Sequence, residues 1–423
     1  MASRERVRAA LAHVEPDRVP LDIGATPVTG ISASTLSRLR RALGLDTPRQ
    51  RVRVTEPYQM LGEVTDDLRE ALGIDTIGVG GATTLFGFEN TGWKEWELFD
   101  GTPVLVPAAF NTEPEPNGDI LMYPGGDRSV PPSGRMPTGG YYFDTIVRQP
   151  PIADDALNAE DNLEEFTPWS DAELARIGDE TCRLHAETDY AIVANLGGTS
   201  FGDIALVPAP FLKHPKGIRD VEEWYVSTLI RRDYVYEVFE RQCEIALKNL
   251  AAAAPRIGNR IEVLMVTGTD FGTQRGPFIS TATYRDLYKP FHRAINDWVH
   301  ANTPWRTFIH TCGGVAPLIE EFIEAGFDIL NPVQCSAADM APAALKREYG
   351  DRLVFWGGGI DTQRTLPFGT PDEVRAEVLG RLEVFAPGGG FVFNTIHNIQ
   401  ARTPMANLLA MFAAIREFNQ QGS

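Results

Sequence analysis

Cysteine is scarce. Four thiols, Cys182, Cys243, Cys312 and Cys335, occur in 423 residues, too few for the disulfide framework of a secreted domain and in keeping with a reducing, cytoplasmic setting. No apolar run reaches the roughly eighteen residues that a bilayer span requires, so no membrane association is expected. The opening MASRERVRAALAHVEPDRVP mixes charge with apolar residues and lacks the continuous apolar stretch of a signal peptide. Positive charge is also short, with 39 Lys+Arg against 57 Asp+Glu and a formal net charge of −18. Such a field repels polyanions and argues against a nucleic-acid partner. Repeats, low-complexity tracts, phosphate-loop or dinucleotide fingerprints, Cys-x-x-Cys pairs and His-Glu-x-x-His are all missing, which removes solenoids, nucleotide enzymes of those types and the common zinc motifs. A hydrophobic content of 43% leaves enough apolar material for a sizeable core.

What is present is a strand-then-helix rhythm. Eight apolar runs of strand length begin at Val19, Asp75, Tyr190, Ile261, Arg306, Asp328, Leu353 and Gly390; the first is short. Amphipathic segments separate them, among them Gln59 to Leu72, Val221 to Ala254 and Val315 to Ala325. Most of the runs are nearly continuously apolar, as parallel strands buried on both faces should be. Eight such units predict an α/β fold, a (β/α)8 TIM barrel spanning residues 1–423 as a single domain. Between residues 92 and 144 the texture changes to tryptophans, tyrosines and the turn dipeptides Asp100-Gly101 and Asn117-Gly118. These predict a β-hairpin insertion after the second strand, suited to a lid or to a homodimer contact.

In a parallel barrel the working residues gather at the carboxyl ends of the strands. His310-Thr-Cys312-Gly-Gly314 ends the fifth run, and a two-residue step along extended backbone puts imidazole and thiol on one side, a donor pair suited to Zn2+. Two further donors end other strands: Cys335 on the neighbouring strand and His397 on the last. Packing alone would equally explain a small buried cysteine. Asp270 and Asp361, with Asp22 on the first run, are the carboxylates placed for acid, base or substrate-orienting work, against the alternative that each caps a turn or helix. Asn195 and Gln274, at the ends of the third and fourth runs, are candidate substrate-binding residues. Gly198-Thr-Ser200-Phe-Gly202 matches Gly-x-Ser-x-Gly, but no helix is expected to follow it, so it reads as a loop. His13, His185, His214, His292 and His300 lie away from strand ends and read as surface residues.

Taken together, His310-Thr-Cys-Gly-Gly, Asp328-Ile-Leu-Asn-Pro332, Trp356-Gly-Gly-Gly-Ile-Asp361 and Gly389-Gly-Phe-Val-Phe-Asn-Thr-Ile-His397 before Thr403-Pro404 resemble the uroporphyrinogen decarboxylase superfamily, and within it the cobalamin-dependent methyltransferase branch. The resemblance covers most of the chain, most strongly from about Tyr190 onward, and implies a TIM barrel. Decarboxylases of the superfamily carry an N-terminal arginine-rich clamp for substrate carboxylates. Here the corresponding Leu21-Asp-Ile-Gly-Ala-Thr-Pro27 holds no arginine, which disfavours a porphyrinogen substrate. The methyltransferases hold zinc through His-x-Cys and a later cysteine; His310 and Cys312 match the pair, and the later position falls on His397 or, alternatively, is served by Cys335.

The resemblance implies a zinc-dependent methyltransferase moving a methyl group between a small molecule or thiol and a corrinoid, with Asp270 or Asp361 handling the proton. No Asp-x-His-x-x-Gly corrinoid-attachment motif is present, so the cobalamin is expected on a partner corrinoid protein. Two alternatives remain: a metal-independent lyase using Asp22, Asp270 and His397 on a small carboxylate, and a non-catalytic component of a methyltransferase complex.

Overall fold

A computed structural model describes residues 1–47 and 50–421. Seven parallel strands, Thr76–Gly80, Ala191–Asn195, Val263–Thr267, Arg306–His310, Ile329–Asn331, Val354–Trp356 and Phe391–Val392, pair in chain order. The first apolar run closes the ring between the two ends of that sheet. Leu21 bridges Phe393 in parallel, the Asp22 amide donates to the Phe393 carbonyl at 2.9 Å, and the Asp75 amide donates to the Leu21 carbonyl at 2.8 Å. The run is reduced to this contact because Pro20 has no N–H to give and Gly24, at φ +88°, turns the chain away. The eight runs thus form a TIM barrel.

Alternation within the strands explains their unbroken apolar texture. Ala191, Val193, Val263, Met265, Phe308, Ile329, Val354, Trp356 and Val392 form one buried cluster with Val7, Ala10 and Leu11 of the helix Ser3–Leu11. The intervening residues, such as Ile192, Leu264, Ile309, Leu330 and Phe355, belong to a second cluster shared with the outer helices. One parity therefore fills the barrel and the other packs against its helical coat. Phe308 lies on the inner parity, which directs His310 inward at the carboxyl end of the same strand.

Between Thr76–Gly80 and Ala191–Asn195 the chain is β-rich. Lys94–Glu97 and Pro103–Val106 form a hairpin through Gly101, and Ile120–Met122, Gly134–Met136 and Asp144–Thr145 form a three-stranded sheet. The hairpin also pairs in parallel with Val52–Glu56, which in turn pairs with Leu61–Gly62; both precede the barrel strand. This corrects the helix expected from Gln59 to Leu72: only Asp66–Leu72 is helical. The Glu56 carboxylate accepts the amides of Tyr58 (3.0 Å) and Gln59 (2.7 Å), which makes a turn where the apolar spacing suggested helix. The segment from Val221 splits at Arg231 into Val221–Ile230 and Arg232–Ile257. Among the described residues no helix is long and apolar enough to cross a membrane.

Candidate metal centre at the barrel mouth

His310, Cys312 and His397 converge at the carboxyl end of the barrel, with one ligand atom from each lying within 4.8 Å of the others. His310 is 4% exposed. Its Nδ1 pairs with Asn331 Oδ1 at 2.6 Å, and Asn331 is itself oriented by donating from Nδ2 to the Trp356 carbonyl at 2.7 Å. The Asn331 oxygen is an acceptor, so Nδ1 carries the imidazole proton and Nε2 presents a lone pair, 3.5 Å from Cys312 Sγ. Outer partners of this kind fix the tautomer of metal-binding histidines. Burial pushes the His310 pKa down to about 4, which keeps the ring neutral and available as a donor.

Cys312 follows the strand in a loop held at several points. The Thr311 amide donates to the Asn331 carbonyl at 2.7 Å, the Cys312 amide to Asp270 Oδ1 at 2.6 Å, and the Gly313 amide to Gln334 Oε1 at 2.7 Å. Gly313 has φ +93°, and a Cβ there would lie 2.3 Å from the Gly272 carbonyl carbon; glycine lets the two loops touch. Burial, with Asp270 and Asp203 nearby, pushes the Cys312 thiol well above its ordinary pKa.

His397 arrives from the loop after the last strand at φ +70°. Its ring lies edge-on to that of His310, with centroids 5.4 Å apart. Nδ1 accepts the Asn398 amide at 2.8 Å, so the neutral ring carries its proton on Nε2, and coordination through Nε2 requires that proton to move to Nδ1 at the expense of this bond. Burial and the neighbouring His310 push the His397 pKa down to about 4. Two imidazoles and a thiol with an oriented outer shell fit a zinc-type ion, and three protein ligands is the number found in catalytic sites.

The other expected residues are distributed as follows. Asp270 adjoins Cys312 through the amide contact above, and burial raises its pKa. Cys335 stands outside the group of three. Its Sγ lies 3.3 Å from the Val333 carbonyl and 3.9 Å from that of Gly358, and burial pushes the thiol up to about 12. The strand ends at Asn331 and Pro332 turns the chain, so the inward parity does not extend to residue 335. Asp361 is a turn cap: its Oδ1 accepts the amides of Gln363 (2.7 Å) and Arg364 (3.1 Å). Asp22 is fully buried and accepts from Thr76 Oγ1 (2.7 Å), Trp356 Nε1 (2.8 Å) and the Ala25 amide (3.2 Å), a structural clamp between the ends of the barrel. Asn195 is half-buried with no side-chain hydrogen bond among the described residues. Gln274 donates to Gln363 at 2.9 Å in an exposed contact. No helix follows Ser200 between residues 203 and 220.

Several groups escaped the sequence reading. Asn331 ends its strand and could have been found by asking what orients His310. Tyr58, Asp203 and Tyr225 also lie near the site, but they come from a turn before the barrel strand, a loop and the helix Val221–Ile230, none of which carries a strand-end signal. Asp203 is within electrostatic reach of Asp270, and burial pushes the pKa of both Asp203 and Glu56 up to about 7. His292, expected at the surface, is fully buried, with Nδ1 2.9 Å from the Tyr284 hydroxyl among aromatic rings. Cys182 is exposed and Cys243 buried.

A family model described as uroporphyrinogen decarboxylase (URO-D) matches residues 262–418, the part of the chain that supplies Asp270, His310, Cys312, Asn331 and His397. A solved structure, a methyltransferase from Methanosarcina mazei, superposes with a TM-score of 0.53 at 16% sequence identity, covering 99% of this chain and 99% of that one; the likeness shows a shared fold. No curated protein matches the chain.

Proposed function

Because a uroporphyrinogen decarboxylase (URO-D) family model matches residues 262–418, we propose that the barrel mouth is the active site of a zinc-dependent methyltransferase that works with a corrinoid. The observation that carries this reading is the convergence of His310, Cys312 and His397 within 4.8 Å, with Asn331 holding His310 in the donor tautomer. These three residues would hold the ion, which when bound supplies Lewis acidity toward a thiol or a methyl-bearing heteroatom.

Each neighbouring residue has a definite task. Asp270, bonded to the Cys312 amide, is placed to take the proton that the Cys312 thiol gives up and to hold it at Oδ2. Asn331 keeps the His310 proton on Nδ1 and away from the donor nitrogen. Gly313 and Gln334 hold the loop that carries Cys312, so that its sulfur position is set before any ligand binds. The corrinoid is assigned to a separate protein docking at the mouth, and the setting to the cytoplasm. A small molecule supplies or accepts the methyl group. The test is elemental mass spectrometry on untagged protein beside His310→Ala, followed by a corrinoid-linked methyl-transfer assay. About one zinc per chain, lost in the variant, is expected. Absence of metal from both proteins would overturn the reading and favour a metal-free lyase in which the protonated carboxyls act.

A further inference from the structure

At the amino-terminal end of the barrel, opposite the donor group, lies a cavity of about 380 Å3. It sits between the end of the helix Ser3–Leu11 and the residues that lead into the strands Val263–Thr267 and Arg306–His310. Buried Leu11 and Ile261 form its floor, and exposed Ala12 and Pro304 add apolar wall. Glu262 also lines it, but its side chain is 2% exposed and already answered: Oε1 accepts from Arg8 at 2.9 Å and Oε2 from the Ile192 amide at 2.7 Å. The remaining lining is Arg8, Arg306 and Asn259.

The two guanidiniums are anchored at one nitrogen each. Arg8 gives Nη2 to Glu262, and Arg306 gives Nη1 to Asp328 Oδ1 at 3.2 Å. Their other N–H groups meet no acceptor among the described residues, and the side chains are 51% and 45% exposed. The exposed Asn259 makes no side-chain hydrogen bond among the described residues either. Arg4 and Arg260 share this end but are occupied: Arg4 donates to the carbonyls of His185, Thr188 and Tyr190, and Arg260 to those of Arg256 and Ile257. Partial burial, together with Arg4, Arg8 and Arg260, pushes the His185 pKa below its ordinary value, as a cationic surround should. The planar fork of arginine matches a carboxylate, while Leu11 and Ile261 offer apolar contact that a bare inorganic ion would leave uncovered. Each guanidinium has already met one carboxylate, so the pair suits a single negative charge rather than a polyanion. The volume is that of a small molecule.

We propose that this cavity is a second ligand site, which takes a small monocarboxylate with an apolar body, the carboxylate on Arg8 and Arg306 and the body on Leu11 and Ile261. The site is independent of the metal-site reading, and its occupant would tie the helix Ser3–Leu11 to two barrel strands. Its test is a ligand-observed NMR titration of the untagged full chain with benzoate and with benzamide, the uncharged isostere. Benzoate is expected to bind about tenfold more tightly. Arg306→Gln should remove that preference. Ala12→Leu, which fills the cavity from an exposed position without changing charge, should weaken both probes, and His310→Ala should change neither. Should Arg306→Gln fail to fold, Arg8→Lys, which keeps a charge beside Glu262 but loses the fork, is expected to lower benzoate affinity about threefold. Equal affinity for the two probes in wild type, a benzoate preference that survives the arginine substitution, or unchanged affinity in Ala12→Leu would overturn the proposal. So would loss of the preference in His310→Ala, which would put the carboxylate at the barrel mouth instead.

Discussion

Asp203→Asn should stabilise the metal-free protein, and by an amount that depends on pH. Burial and the neighbouring Asp270 raise the folded-state pKa of Asp203 from its ordinary 3.8 to about 7. A raised acid binds its proton more tightly in the folded state. The stability it contributes is therefore fully present below about pH 4 and is lost as pH rises through about 7. The full difference of about three pH units corresponds to ~4 kcal/mol. The side chain is half-buried rather than sealed, so solvent screening reduces this to about 2 kcal/mol. Asparagine keeps the shape and the acceptor for the Ala205 amide but cannot ionise. On a chain of 423 residues the gain amounts to roughly 2 °C in melting temperature. The assay is thermal unfolding of both proteins in chelator from acid to mildly alkaline pH. The variant should match wild type in acid and exceed it above neutrality. An offset that stays constant with pH, or a variant that is less stable in alkali, would refute the claim that an uncompensated carboxylate sits at the mouth.

Asn331→Leu removes the acceptor for His310 Nδ1 and should weaken zinc binding about tenfold to a hundredfold, whereas Cys335→Ser should leave it unchanged; metal-competition titrations separate the two. Gly313→Ala forces a side chain into the left-handed region against Gly272 and should cost about 1–3 kcal/mol of backbone strain with further loss from the clash, read as a lower melting temperature together with reduced zinc content. His292, pushed by burial down to about 3, remains neutral when folded but takes a proton at its ordinary 6.5 when unfolded. Wild type should therefore lose stability as pH falls from about 6.5 toward 3, and His292→Gln should flatten that limb; parallel acid limbs would show that the ring is not sealed.

The barrel was legible because doubly buried parallel strands leave continuous apolar runs, and the His310–Cys312 pair was legible because a two-residue step keeps one side. The same alternation misleads at Cys335, where Pro332 has already turned the chain. Aspartate at a strand end is ambiguous in principle, since a carboxylate that caps amides and one that faces a ligand are the same letter. Asp361 took the first role, Asp270 faces the donor group while also accepting the Cys312 amide, and Asp22 became a clamp because the short first run puts it against Trp356 and Thr76. Tyr58 and Asp203 were illegible for a different reason. Their proximity to the site depends on how a hairpin sheet and a long loop fold back over the barrel, and no local period encodes that.

The protonation states at the mouth bear on how the site would load. His310 and His397 are held neutral by burial across the physiological range, so neither ring carries the second proton that would bar coordination. Cys312 is held protonated by the same burial, reinforced by two carboxyls. An ion entering such a site must therefore displace the thiol proton, and the nearest group able to receive it is Asp270, whose own affinity for a proton is raised. Burial thus does two things at once: it preserves the imidazole donors, and it couples formation of the thiolate to proton transfer within the site. Once Asp270 passes that proton on to solvent, zinc uptake releases a proton overall, and its affinity should rise with pH more steeply in wild type than in Cys312→Ala. An affinity equally insensitive to pH in both proteins would mean that the thiol is not a ligand.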